Sequence, residues 1–361
     1  MRVIQITSSL SYGDGVSNDC IAIKRVLQEA GYETELYAEV ISPKVPEGTA
    51  RLIQELNTAA EDIIIYHLSI GTDWNFKLSS LPGKKVIRYH NITPPMFFDG
   101  YNQRAKEDCL FGLFGVHYLA DKMDYGIVDS SYNRQDLWNM GYCCDISVVP
   151  VVVPFEDYNQ EPDAKTLSQY SDGCTNIIFV GRIAPNKCQE DVIKAFCLYK
   201  KFYDADARLI LVGSYQGMET YYEQLQEYVK ELGVQDVVFT GHIPFNQILA
   251  FYRTADAFLC MSEHEGFCIP LLEAMHFQVP IVAADYAAVG ETLGDAGILL
   301  PEKDYMLAAG AIHRIKTDGV LRSMLIQKEQ ERLCAFSYDA IKETFLNEIK
   351  KVEKGDFRRT K

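Results

Sequence analysis

Short apolar runs alternate with longer amphipathic runs along the whole chain, and the series starts twice. Val3–Ile6 reads as a strand, Val16–Ala30 as a helix closed by Gly31, and Glu35–Ala38 as a second strand. Ile63–Tyr66, Lys85–Tyr89, Tyr125–Val128 and Ile146–Val149 continue the strand series. Such alternation implies crossover helices packed on a mostly parallel sheet. Between Pro150 and Gly173 the texture changes: Pro150, Pro154 and Pro162 stand among Glu, Asp, Gln and Ser, with little apolar periodicity. This stretch reads as a linker. The alternation then restarts with strands at Asn176–Val180, Arg208–Val212, Val237–Thr240, Ala257–Cys260 and Pro280–Ala283, and with helices between them. The expectation is an α/β chain of two doubly wound, Rossmann-like halves. Residues 1–155 form the first domain, 156–172 the linker and 173–335 the second domain. In open α/β sheets ligands sit at the carboxyl ends of the strands, so the loops that follow strands are where function is sought.

Composition narrows the partners. The 361 residues carry 35 Lys and Arg against 50 Asp and Glu, a net charge of −15 shared almost evenly by the two halves. A nucleic-acid binder needs a basic face to neutralise phosphates, so that class is set aside. Ten cysteines in 361 residues do not make a disulfide scaffold. Cys20, Cys197, Cys260 and Cys268 sit within apolar runs and read as small buried hydrophobes in a reducing cytosol. There is no Cys-x-x-Cys pair, and the Cys143-Cys144 neighbours lack metal-ligand spacing. Met1–Ile6 is too short and polar for a signal peptide, and no apolar stretch approaches ~20 residues. The expected setting is cytoplasmic; peripheral membrane contact stays open, without electrostatic help from the acidic balance.

Three loops carry residues suited to chemistry. After the first strand, Ser8–Val16 holds Gly13 and Gly15 ahead of a helix, where backbone N–H groups approach an anion. Asn18 occupies the place of the third glycine of a dinucleotide fingerprint, which disfavours NAD; a tight βα turn is the plain alternative. The second half opens with Gly181-Arg182-Ile183-Ala184-Pro185-Asn186-Lys187, a glycine turn and two cations between a strand and a helix. Negative charge builds on a departing diphosphate, and preorganised cations stabilise it. The competing reading gives Arg182 an ion pair and Lys187 a solvated helix start. The third loop is Glu263-His264-Glu265-Gly266-Phe267-Cys268-Ile269-Pro270-Leu271-Leu272-Glu273. Pro270 suits the first turn of a helix. Glu265 then lies on a loop and Glu273 about one turn inside the helix, with the helix N-terminus between them as an anion site. A phosphate flanked by a sugar and a ribose fits that arrangement, while a capped helix with Glu273 exposed is the alternative.

Glu265-x7-Glu273 with Gly266-Phe267 and Pro270, in register with Gly181-Arg182 and Lys187, resembles the family 4 retaining glycosyltransferases of the GT-B fold. Gly13–Gly15, Tyr89-His90-Asn91, Val212-Gly213 and Thr240-Gly241 extend the resemblance over the chain. The resemblance implies an enzyme moving a hexosyl group from a nucleotide diphosphate sugar to a glycan or lipid-linked acceptor, as in cell-surface polysaccharide synthesis. It implies that Arg182 and Lys187 hold the donor diphosphate and Glu273 the ribose. Glu265 and the Gly266, Phe267, Cys268 and Ile269 backbone would hold the transferred sugar. Gly15, Gly181 and Gly213 would line the donor site, with His242 and Ile243 flanking the base. His90 would face the sugar and acceptor as a catalytic group beside Glu265, Arg182 and Lys187. A helix over 338–353 would cross back to the first domain, and no metal or other cofactor would be needed for donor binding. Cys268 stands where the family often has Gly or Ala. A nucleotide-sugar epimerase and a non-catalytic sugar-nucleotide-binding subunit are the alternatives.

Asp204-Ala205-Asp206 imitates a metal-binding carboxylate pair but lies between a helix and a strand start, so a solvated turn is expected. Asp129-Ser130-Ser131 reads as a helix cap. His264, His276 and His313 read as structural or exposed, and Phe97-Phe98 and Phe111–Phe114 as core packing.

Overall fold

The computed structural model describes residues 1–11 and 13–358. Tyr12 of the first glycine loop and residues 359–361 lie outside the described residues. The chain divides into two compact units: residues 1–96, 104–154 and the segment from Ala335, and residues 97–103 with 155–334.

The first unit contains β1 (Arg2–Leu10), α1 (Gly15–Glu29), β2 (Glu33–Ile41), β3 (Arg51–Leu52), β4 (Ile63–Leu68), α2 (Trp74–Lys77), β5 (Lys84–Tyr89), α3 (Gln103–Leu119), β6 (Tyr125–Val128), α4 (Ser131–Asn139) and β7 (Ile146–Val148). Its strands pair in parallel in the order β3-β2-β1-β4-β5-β6-β7. Strand order reverses between β1 and β4, so the loops after these strands face a switch point. β4 is buried along its whole length, as the continuous run Ile63–Tyr66 requires of a strand covered on both faces.

The second unit contains α5 (Ala164–Tyr170), β8 (Asn176–Val180), α6 (Gln189–Phe202), β9 (Arg208–Val212), α7 (Glu219–Glu231), β10 (Val237–Phe239), α8 (Phe245–Thr254), β11 (Ala257–Cys260), α9 (Ile269–His276), β12 (Ile281–Ala284), α10 (Val289–Leu293), β13 (Ile298–Leu300), α11 (Tyr305–Thr317) and α12 (Gly319–Cys334). Its parallel sheet runs β10-β9-β8-β11-β12-β13. The switch point falls between β8 and β11, the strands that deliver the two richest motifs. The last helix, α13 (Tyr338–Lys354), packs on α1 in the first unit. Tyr338 and Lys342 bond Glu29, and Tyr125 donates to Glu348 at 2.6 Å. No described helix is long and apolar enough to cross a membrane.

The stretch expected as a linker over 156–172 is structured. Asp163 accepts from Thr166 N and caps α5, which packs on α8 with Tyr170 edge-on to Phe251. Its apolar contacts are too few in sequence to show periodicity, yet Tyr158 and Tyr170 are buried. The segment 97–103, expected within the first domain, clusters with the second unit: Asn102 Nδ2 donates to Gly217 O at 2.6 Å, and Tyr101 meets Tyr221 edge-on. Phe98 is buried as expected, but Phe111 and Phe114 stand exposed on α3, so core packing does not explain them.

Candidate active site

At the end of β8 the chain turns at Gly181 and passes through a single 3-10 turn at Pro185–Lys187. Gly213 follows β9 so closely that a Cβ there would lie 1.9 Å from Gly181 O, which only glycine permits. Asn186 then joins this loop to the one after β11. Its carbonyl accepts from Glu263 N at 3.0 Å, and its Nδ2 donates to His264 O at 3.1 Å. The junction places Lys187 Nζ 2.5 Å from Glu265 Oε2. Burial alone would lower the lysine pKa, but Glu265 outweighs it and holds the ammonium charged, above its ordinary value. Lys187 remains 22% exposed at its side chain. An ammonium has three donors, so two stay available to an incoming anion. Arg182 is exposed and its guanidinium makes no ion pair among the described residues. Among the described residues, then, Arg182 has no ion pair and Lys187 is held by Glu265.

Cys188 and Cys268 repeat one device. Each adopts a left-handed conformation, with φ of 51° and 74°, immediately before α6 and α9. Glycine is the usual residue there, which accounts for the position of Cys268 in the resemblance. No side chain caps α9, and Pro270 fills its first turn. The positive end of that helix is thus left for a ligand. Phe267 and Cys268 are buried, and Thr292 Oγ1 bonds the Phe267 carbonyl and fixes the loop.

Glu273 is not simply exposed. Tyr158 donates to its Oε1 and Tyr252 to its Oε2, both at 2.6 Å. Burial raises its pKa, and the two hydroxyls oppose that rise. Each oxygen keeps a second lone pair for a ligand hydroxyl. Sequence reading missed both tyrosines, because Tyr158 comes from the supposed linker and Tyr252 from α8; no local signal marks them. Of the two readings for His264, the structure excludes the exposed one: it lies buried beside Glu265, near Phe97, and burial lowers its pKa to about 4. It is neutral at physiological pH. His276 stacks on Phe155 and His313 on Tyr203, both structural as expected. Gly213 bridges Gly241 across the ends of β9 and β10, leaving His242 exposed and Ile243 half-buried beside them.

In the first unit, Asp14 caps α1 by accepting from Ser17 N at 3.0 Å and Ser17 Oγ at 2.8 Å. Gly13 supplies the positive φ of the turn and Gly15 begins the helix. The carboxylate therefore sits where an anion would, and the tight-turn reading accounts for this loop. His90 lies deep in a polar cluster: Nδ1 is 3.1 Å from Asp129 Oδ2, and Nε2 is 2.9 Å from His67 Nδ1. Arg88 bridges Asp19 and Asp129, each at 3.0 Å. Ser130 is the cap of α4, accepting from Asn133 N, while Asp129 belongs to the histidine cluster. His67 and Arg88 were missed. The available signal was one polar residue interrupting each buried strand run.

Among the described residues, two sets of side chains approach metal-ligand spacing: Asp19, His67 and His90, and Cys188, Glu190 and Asp191. Arg88 occupies Asp19 in the first, and Lys194 and Lys303 occupy Asp191 in the second. Both sets already hold a cation of the chain itself. Asp204 accepts from Thr175 Oγ1 and Asp206 N, which closes a turn as expected.

With this geometry in place, residues 170–332 match the family model of glycosyl transferases group 1. Over these residues the chain is similar to the group 1 glycosyltransferases. The D-inositol 3-phosphate glycosyltransferase of Acidothermus cellulolyticus is 30% identical over 175 residues, 46% of this chain and 39% of that protein. The O-antigen chain mannosyltransferase B of Escherichia coli is 23% identical over 272 residues, 73% and 70% of the two chains. The O-antigen chain mannosyltransferase RfbU of Salmonella typhimurium is 30% identical over 236 residues, 64% and 61%. The match to the first of these spans well under half of that relative's length. Among solved structures, the sucrose-phosphate synthase of Thermosynechococcus elongatus gives a TM-score of 0.74 at 17% identity, covering 98% of this chain and 99% of that one. HepE of Anabaena, solved with UDP and glucose, gives 0.72 at 18%, covering 97% and 100%. The resemblance read from the motifs holds at the level of the glycosyltransferases, and the fold is GT-B, with two parallel-sheet Rossmann-like domains.

Proposed function

We propose that the chain is a retaining hexosyltransferase of the family 4 type, using a UDP-hexose or GDP-mannose type donor and a glycan or lipid-linked saccharide acceptor in surface polysaccharide synthesis. The Lys187–Glu265 pair beside the uncapped N-terminus of α9 carries this reading. Lys187, Arg182 and the helix end supply positive charge where a diphosphate departs, so no metal enters the scheme. Glu273 and its two tyrosines would receive the ribose hydroxyls. The O-antigen mannosyltransferases among the relatives support the polysaccharide setting.

Given a retaining reaction, the way the carboxylates are engaged supports one route over the other. Glu265 is bound to Lys187 and Glu273 to two tyrosines, so neither is set up as a nucleophile on the far face of the sugar. Attack by the acceptor on the face the diphosphate leaves is the step this site favours. The proposed setting is cytoplasmic, with any contact to a lipid surface falling to exposed Phe111, Phe114 and Tyr118 on α3. The test is release of nucleoside diphosphate from a panel of UDP- and GDP-sugars with saccharide acceptors, followed by NMR assignment of the product anomer. An α-linked product from an α-linked donor supports the reading. Consumption of donor into an isomeric nucleotide sugar without acceptor would replace it with epimerisation. Tight donor binding with no turnover on any acceptor would leave a binding subunit.

A further inference from the structure

With the Gln5 amide oxygen facing His67, the contacts of the buried polar cluster in the first unit set its proton count. Asp129, His90, His67 and Gln5 form one line of contacts: Asp129 Oδ2 to His90 Nδ1 at 3.1 Å, His90 Nε2 to His67 Nδ1 at 2.9 Å, and His67 Nε2 to Gln5 Oε1 at 2.9 Å. The two rings are nearly parallel, at 10°. A carboxylate and a carbonyl accept at the two ends, so each of the three links needs one ring hydrogen. Two neutral imidazoles carry only two hydrogens. The third makes one ring an imidazolium.

The surrounding charges agree with that count. Asp19 and Asp129 face a single guanidinium, Arg88, and all three side chains are buried. Without an extra proton the cluster would carry a net negative charge in a site shielded from water, which is costly. The remaining neighbours are Thr7 from β1 and Cys20 from α1, whose thiol burial keeps neutral. Among the two rings, burial and the neighbouring His90 hold His67 neutral. His90 lies between Asp129 and, at 3.8 Å, Asp19.

We infer that His67 and His90 share one extra proton as a buried cationic pair, with His67 a positioning residue that fixes the His90 ring and its charge. Both nitrogens of His90 are donors in this state, so it accepts no proton from an acceptor hydroxyl and acts through charge and shape. Gln5 provides the alternative state. Its Nε2 has no hydrogen-bond partner, and rotating the amide would present that N–H to His67 Nε2. Two hydrogens would then satisfy all three links, so loss of the proton is coupled to rotation of Gln5.

The catalytic part of this inference rests on the glycosyl-transfer reading; the charge state does not. The experiment is long-range ¹H–¹⁵N correlation on the full chain with ¹⁵N-labelled histidine, assigned with His67→Gln and Asp129→Asn. Near neutral pH the wild type should show both His90 nitrogens protonated and one His67 nitrogen protonated, and Asp129→Asn should return His90 to a neutral ring. Two neutral rings in the wild type would overturn the inference, whether or not either variant folds. With an active donor and acceptor in hand, His67→Gln should lower kcat about tenfold or more with the donor KM little changed. An unchanged kcat would overturn the positioning role. A chain inactive on every donor would count against the transferase reading, and the ring-nitrogen pattern would still decide the charge state.

Discussion

The two sheets each place a cluster of charged residues at a switch point, and the clusters are built in opposite ways. In the second unit the cations have donors to spare: Lys187 has one partner, Glu265, and Arg182 has no ion pair among the described residues. In the first unit both His90 nitrogens and both His67 nitrogens have partners, and Arg88 bonds Asp19 and the Val149 carbonyl as well as meeting Asp129. An unsaturated cluster next to an uncapped helix can take a ligand. A buried one whose ring nitrogens and guanidinium are all engaged holds a shape and a charge. Charged groups thus serve reception in one unit and architecture in the other.

The largest effect should come from the buried cluster of the first unit. Arg88→Leu leaves Asp19 and Asp129 without their guanidinium, and breaking a buried pair costs about 3–5 kcal/mol. Urea unfolding should show that loss; a variant as stable as wild type would mean the cluster is not the rigid element described. Lys187→Met should act on chemistry instead. Losing one preorganised charge contact costs about 2.7–4 kcal/mol of transition-state stabilisation, or 10²–10³ in kcat. Circular dichroism should show the variant folded, which separates the two clusters experimentally.

Tyr252→Phe lies between these cases, removing one donor from the partly buried Glu273 carboxylate. Hydrogen bonds to charged groups contribute about 1.5–3 kcal/mol, so a stability loss of that order is expected by chemical denaturation. A pH effect concerns Glu329 on α12, a buried carboxyl outside both clusters. Burial pushes its carboxyl up to about 8, with Arg322 opposing. The folded protein then holds a proton that the unfolded chain releases above the ordinary glutamate range. Stability should fall as pH rises toward about 8, and Glu329→Gln should flatten that slope. A slope unchanged in the variant would place the titrating group elsewhere.

The alternation of strands and helices was legible because the buried strands are mainly apolar runs set apart from the helices by glycine and polar turns. Lys187, Glu265 and Glu273 were legible because their loops combine glycine, proline and charge after strands. The partners of these groups were not. Tyr158 and Tyr252 meet Glu273 from segments 115 and 21 residues away, and such pairing is a property of packing. His67 and Arg88 left one faint mark, a polar residue within an apolar run. The linker reading failed because α5 is held by its Asp163 cap and by α8, not by a periodicity visible in seven residues.

The central claim is that Lys187, with Glu265 behind it, receives the diphosphate of a nucleotide donor. Calorimetric titration of the full chain and of Lys187→Met with UDP and with GDP tests this most directly. One of the two nucleotides should bind the wild type, with affinity that falls as salt rises, and should lose most of that affinity in Lys187→Met. Equal affinity of the two proteins for the nucleotide that binds would contradict the account.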